Sequence, residues 1–302
     1  MIALYSFTAK SLFLTMFTNK LNFQDILPLT CTRTGTCCHG NQVFLNPWEL
    51  ARLAHEKGIS AADFRNNYCD DGGILLRFNG KVDKRGKSAC SQYIDNFGCS
   101  VHVGRPLACR LFPLGRQIQH GKAEYIFQGE QFPCLNGCEA VVELPHLSVE
   151  EYLKGQETDA FEKAQDAYLE VMQNLAENAF ALLLDSGLAA TGETKTLSMW
   201  REMGKADAKT LAERIGEEWL TALLLPTINS LDNAETFADV HNEFLQEKAQ
   251  EQFGSLESHQ AFHEASLLMM SLALYLARAL GAQPESLSAH WVEEAKGFGA
   301  CE

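Results

Sequence analysis

Cysteine is the residue with most chemistry to offer in this chain, and it is concentrated. Cys90, Cys99 and Cys109 lie in the run Cys90–Pro113, which contains Arg105-Pro106 and closes on Phe112-Pro113. Upstream stand Cys31, Cys37 and Cys38, and downstream Cys134 and Cys138. A loop cannot bury thiols as small apolar residues, so this density needs an external reason. Thiolates are soft donors that suit zinc and iron–sulfur clusters. Four complete a structural zinc site, and four also hold a cubane four-iron cluster, the favoured one of the two here. Eight sulfurs suffice for two such sites, or for one site with spare thiols. Cys37 and Cys38 bear on that choice. Adjacent side chains on extended backbone point to opposite faces. The pair therefore serves two centres more readily than one, unless a turn relaxes the constraint.

Charge supports the metal reading. Zinc or an oxidised four-iron cluster with four thiolates is a dianion by formal counting. In a loop of low dielectric it needs donors and positive charge around it. Arg33, Arg105, Arg110 and Arg116 stand near in sequence. The plainer reading is buried structural cysteines with surface arginines, and a disulfide framework is a third.

These residues must be positioned by what surrounds them. Gly35 and Gly40 permit the sharp turns a metal loop needs. Gln42–Leu45 reads as a short strand. Asn46-Pro47-Trp48-Glu49 is a compact helix start, with an Asn cap, Pro at the first position and Glu three residues on. Gly58 stops that helix, and Ser60 caps a second one toward Asn67. Ile74–Phe78 followed by Asn79-Gly80 reads as a hairpin with a tight turn. Glu124–Gln128 reads as one more strand. From Ser148 the texture becomes helical. Phe161, Ala164, Tyr168, Val171, Leu175, Ala179 and Leu182 recur at helical spacing over 157–185. Further helices are expected near 207–224, 233–252, 256–280 and 286–297, broken at Pro226, Gly254 and Gly281. Met269 and Met270 fall in an apolar run that reads as bundle core.

The expected fold class is α+β: a small cysteine-rich metal domain over 1–145, with its core at 28–145, then an acidic helical bundle over 146–302. The 302 residues carry a net charge of −14. Residues 1–145 hold 15 Lys+Arg against 12 Asp+Glu, and residues 146–302 hold 10 against 27. An acidic half disfavours polyanions, so neither nucleic acid nor an anionic membrane surface is an expected partner. Met1–Phe17 is apolar-rich but interrupted by Lys10, too short and polar to span a membrane. It reads as a short amphipathic element, as a mis-assigned start with translation beginning at Met16, or third as a signal peptide. Without a signal the compartment is the reducing cytoplasm, where thiols stay free or bind metal.

Other candidates rank lower. His259 and His263 are one helical turn apart with no third ligand near in sequence, so a solvated face is preferred. His102 reads as a loop hydrogen-bonder before a ligand. Cys69 precedes Asp70-Asp71, whose charge disfavours its thiolate. Cys301 reads as an exposed terminal thiol.

Cys31-x-x-Thr34-Gly35-x-Cys37-Cys38, the Pro47-Trp48-Glu49 helix, and Cys90…Cys99…Arg105-Pro106-x-x-Cys109-Arg110-x-Phe112-Pro113 resemble the YkgJ-type cysteine-cluster family over about 28–145. The resemblance implies a zinc- or iron-chelating domain, often regarded as iron–sulfur-containing. Many members have a further cysteine where this chain has Thr34, so His39 or Cys69 is a candidate substitute. Three functions follow as expectations. The first is a protein that holds an iron–sulfur cluster or zinc. The second, by similarity to flagellin lysine methylases, is a protein lysine N-methyltransferase using S-adenosylmethionine. The third is a structural zinc protein whose acidic half binds a protein partner.

Overall fold

The computed structural model describes residues 20–302 apart from 32, 34, 120–121, 130–134, 136–142, 186, 188–194 and 229. The expectations for Met1–Phe17, Cys134 and Cys138 fall outside the described residues. In chain order the elements are β1 (Ile26–Pro28), α1 (Pro47–Lys57), α2 (Ala61–Tyr68), β2 (Cys69–Asp70), β3 (Leu75–Leu76), β4 (Tyr93–Ile94), β5 (Gly98–Cys99), α3 (Leu107–Leu111), β6 (Leu114–Gln119), β7 (Lys122–Phe127), β8 (His146–Ser148) and α4 (Val149–Gly155). Then come α5 (Asp159–Asp185), α6 (Thr196–Lys205), α7 (Ala208–Ile215), α8 (Glu217–Leu224), α9 (Ala234–Phe253), α10 (His259–Ala279) and α11 (Pro284–Gly297). The class is α+β, with short antiparallel ribbons in the N-terminal half and helices after it.

The chain divides into two compact units. The first comprises the chain up to Val43 and Arg77–Ala160; the second comprises Phe44–Leu76 and Phe161–Glu302. In the first unit each ribbon has two strands: β1 with β8, β4 with β5, and β6 with β7, the last in register Leu114↔Phe127 to Gln119↔Lys122. Pairing of β1 with β8 joins residues 26–28 to 146–148. α4 begins there with a full capping box: the Ser148 hydroxyl accepts from Glu151 N–H, and the Glu151 carboxylate accepts from Ser148 N–H. Tyr152 of α4 donates its hydroxyl proton to the Phe112 carbonyl at 2.7 Å.

The second unit buries long helices against each other. α10 presents Met269, Met270, Leu272, Leu274 and Leu276 with no exposure at all, which is the bundle core expected of that run. α5 buries Phe161, Ala164, Tyr168, Val171, Leu175 and Ala179; Leu183 rather than half-buried Leu182 completes the face. α1 and α2 belong here although they lie between the cysteines in sequence. Trp48 packs edge-on against Phe161 at 4.9 Å and donates its indole N–H to the Leu231 carbonyl. Arg65 of α2 holds Glu217 with a two-pronged pair at 2.7 and 2.9 Å.

The start of α1 is built as its sequence dictates. Asn46 and Glu49 close a capping box, Pro47 takes the first position, and Gly58 ends the helix at φ +71°. Three expectations differ. Gln42–Leu45 makes only an isolated bridge, Phe44↔Leu75. The hairpin lies upstream of Asn79-Gly80: β3 pairs with β2 across Asp71-Gly72-Gly73, whose φ values of 54°, 80° and 128° supply the reversal. The helix expected over 207–224 is two helices, because Gly216 stands at φ +79° between α7 and α8. α6 was not expected. Lys195 at its start gives no side-chain cap, so only its buried Leu197, Trp200 and Met203 mark it.

Candidate metal centre

The cysteine-bearing segments of the first unit are held by close backbone approaches. Gly35 at φ +80° opens a single 3-10 turn, Thr36–Cys38, and Cys38 N–H donates to the Gly35 carbonyl at 2.8 Å. A side chain at Gly35 would stand 1.9 Å from the Tyr93 ring. Cys90 N–H donates to the Cys38 carbonyl at 2.8 Å, and His39 bridges Ala89. Cys99 lies in β5 opposite Tyr93, and Gly98 at φ +92° lets the Arg33 carbonyl approach so closely that a Cβ there would meet it at 2.3 Å. Cys109 sits in α3, its N–H donating to Pro106.

This architecture gathers five sulfurs. The charges of Cys37, Cys99 and Cys90 each disfavour ionisation of Cys109, and those of Cys99 and Cys109 act on Cys38. Cys31 acts on Cys99. The turn sets the adjacent pair side by side, and the side chains of Cys37 and Cys38 act on each other. That interaction, helped by the charges of Arg85 and Arg105, brings Cys37 down to about 7 against the cost of its burial. It drives Cys38 upward. Burial is the largest influence on the other three: it pushes Cys90 up to about 11, raises Cys99, and raises Cys109 well above a free thiol. Opposing that are backbone N–H groups aimed at sulfur, Gln92 on Cys90 and Val101 on Cys99.

The arginines differ in what they do. Arg33 donates to the Cys99 carbonyl at 3.3 Å and lies over the Phe97 ring. Arg105 is 7 % exposed, and its charge favours the thiolates of Cys37, Cys99 and Cys109. Arg110 is as deeply buried but spans carbonyls, those of Arg105 at 2.9 Å, Gln156 at 2.6 Å and Val103. It braces the loop. Arg116 lies on β6 opposite Tyr125. Arg85 was missed. It donates to the Thr36 carbonyl at 2.8 Å, directly beneath the Cys37-Cys38 turn, and Asp83 holds it there at 2.7 Å. The usable signal was Asp83-Lys84-Arg85-Gly86, an Asp-led turn that could fix an arginine.

The remaining candidates separate. His39 donates its Nδ1 proton to the Gly35 carbonyl at 2.8 Å, leaving Nε2 as an acceptor. His102 is brought down to about 4 by burial first and then by Arg105, so it is a neutral acceptor for that guanidinium. Cys69 is 4 % exposed in the core of the second unit. His263 shares a hydrogen with Thr196 at 2.9 Å, and Cys301 is exposed.

Among the described residues, no set of three or more His, Cys, Asp and Glu side chains is arranged to hold an ion. The chemistry of the donors nevertheless suits one. Soft sulfurs are concentrated, backbone N–H groups point at them, and buried guanidinium charge lies beside them. Residues 30–128 match the family model CxxCxxCC, described as "Putative zinc- or iron-chelating domain". The chain is similar to that domain over this stretch. The stretch takes in Cys31, Cys37, Cys38, Cys90, Cys99 and Cys109, together with α1 and α2 of the second unit. Searches of the curated proteins and of the solved structures found no match. Among the described residues no helix is long and apolar enough to cross a membrane.

Proposed function

We propose that this protein holds a metal centre, a four-iron cluster in preference to zinc, on the thiolates of Cys37, Cys38, Cys90, Cys99 and Cys109, with Cys31, Cys134 and Cys138 completing the set. The observation that carries the reading is the convergence of five thiols from three chain segments, each sensing the charge of others. Protonated, they are expensive to ionise singly. An ion or cluster that takes several thiolates at once offsets that cost, so uptake releases protons and couples to folding of the loops. The centre when bound supplies either a fixed cross-link, as zinc, or a redox couple, as iron–sulfur. The chain's part is to present sulfur, N–H groups and positive charge. Free thiols at this density belong in a reducing compartment, and we place the protein in the cytoplasm.

The test is anaerobic purification under iron- and zinc-replete conditions with metal analysis and a visible spectrum. Iron with acid-labile sulfide and broad visible absorption is the expected result. Stoichiometric zinc in a colourless protein assigns the site to zinc. Neither metal above trace overturns the proposal.

A further inference from the structure

Among the described residues, Arg105 is a buried cation without a matching anion. The groups its guanidinium meets there are neutral: Nη1 approaches the His102 ring at 2.5 Å and the His102 carbonyl at 3.2 Å, and Nη2 donates to the Gln156 side-chain carbonyl. Its Nε–H is buried and has no hydrogen-bond partner among the described residues. No carboxylate among the described residues lies within ion-pair distance of it. An unpaired buried charge is costly, by several kcal/mol in general, and persists where something compensates it. Arg110, buried to the same degree, makes the contrast: its Nε and both Nη donate to carbonyls, and Glu157 lies 3.7 Å away. What does lie within the field of Arg105 is sulfur, the side chains of Cys37, Cys99 and Cys109.

We infer that Arg105 is the counter-charge of the metal centre and that its free Nε–H is a hydrogen-bond donor to a ligand sulfur. The inference rests on the proposed metal site and specifies it. The dianion formed when thiolates take up a metal is the anion that the guanidinium lacks. His102 and Gln156 orient the fork by accepting from its two ends, which leaves Nε for sulfur. Arg105 is thus a positioning and charge-compensating residue. Arg110 is a scaffold residue, acting through the Arg105 carbonyl it holds.

The test compares Arg105→Gln, Arg105→Lys and Arg110→Gln in the full chain, each with and without metal. Affinity is read by chelator competition, folding by thermal melting, and for an iron–sulfur centre the reduction potential by titration. Arg105→Gln is expected to weaken metal retention about 10- to 100-fold, the usual scale for an outer-shell partner. Its melting loss should appear in the loaded chain and not in the metal-free one. Arg105→Lys, which keeps charge but not Nε–H, should fall between. With iron–sulfur bound, loss of the cation should shift the potential negative, because reduction adds negative charge. Arg110→Gln should lower the melts of both forms alike. The inference is overturned if Arg105→Gln leaves affinity and potential unchanged, or if it lowers both melts equally with retention intact. Wild-type protein without metal overturns the proposed function itself, a distinct result read before any variant.

Discussion

The two units hold themselves together by different means. The second is an ordinary helical core: Trp48, Trp200, Trp291, Tyr168, Tyr275 and Phe237 are all fully or almost fully buried, and α10 is sheathed on most sides. The first has two- to six-residue strands, and around its sulfurs it relies on left-handed turns at Arg33, Gly35, Gly40, Asn96 and Gly98. Burial in the second unit needs no ligand. The turns of the first hold half-buried thiols beside a smaller apolar set that includes Val101, Leu107 and Leu111. From this difference we propose that the second unit supplies its own stability and that the first depends on what it binds.

The largest effect should come from breaking the dependent unit. Cys99→Ser or Cys109→Ser is expected to abolish metal binding and to destabilise the first unit, since the free energy of filling a structural metal site is folding free energy, on the order of 10 kcal/mol for zinc in small modules. Metal content and melting check it. Full metal with an unchanged melt for either variant removes the shared-site proposal.

Next in size is Trp48→Ala, which tests where α1 belongs. By sequence it sits between Cys38 and Cys90, inside the matched stretch. By packing it stabilises the helical unit through Phe161 and Leu231. A loss of about 3–5 kcal/mol is expected, as for other buried aromatic truncations, with metal content retained. Loss of metal without loss of helix would assign α1 to the cysteine site instead. The same packing bears on a boundary at 145/146. We propose that it marks the change in charge and periodicity, and that residues 146–302 expressed alone melt below residues 44–302, because they lack α1 and α2.

Acid provides a third, smaller probe of the helical unit. His241 is fully buried, accepting from the Tyr168 hydroxyl at 2.9 Å and donating to the Ala222 carbonyl at 3.0 Å. Burial brings it down from 6.5 to about 4. The unfolded chain therefore binds a proton that the folded one refuses. Its contribution is present above pH 6.5 and is lost as pH falls from there toward 4, by up to about 3 kcal/mol. Melting temperatures followed down that window should drop, and His241→Gln should flatten the drop while lowering stability at neutral pH. A slope unchanged in His241→Gln would assign the acid sensitivity to other groups.

How much of this was legible depends on whether the cause was local. The cap at Asn46, the box at Ser148 and the αL stop at Gly58 are decided by three or four neighbouring residues, and the sequence reads them correctly. The concentration of cysteine in the first half was legible as composition. What could not be read was non-local. Arg105 and Arg110 are five residues apart and of one type, yet one meets the side chains of His102 and Gln156 and the other spans backbone carbonyls, a distinction set by where Gln156 and Val103 arrive. The hairpin was misplaced because Asn79-Gly80 is a strong local turn signal, whereas the reversal is made by Asp71-Gly72-Gly73 packed under Tyr275 and Ala212.

The smallest expected effect sharpens the division most. Cys69 was a candidate replacement for a ligand at Thr34. It lies in β2, paired with Leu76, in the core of the helical unit, and its charge acts on Tyr275. We propose that it is a small apolar core residue. Cys69→Ser should then cost about 1–3 kcal/mol, the penalty for a hydroxyl placed in an apolar site, with metal content unchanged. Cys301→Ser, at an exposed terminal thiol, supplies the zero of the scale for both readouts. A loss of metal in Cys69→Ser larger than in Cys301→Ser would mean that a sulfur of the helical unit is a ligand. The two units would then share the metal, and the contrast between a self-sufficient and a dependent unit would fail at that residue.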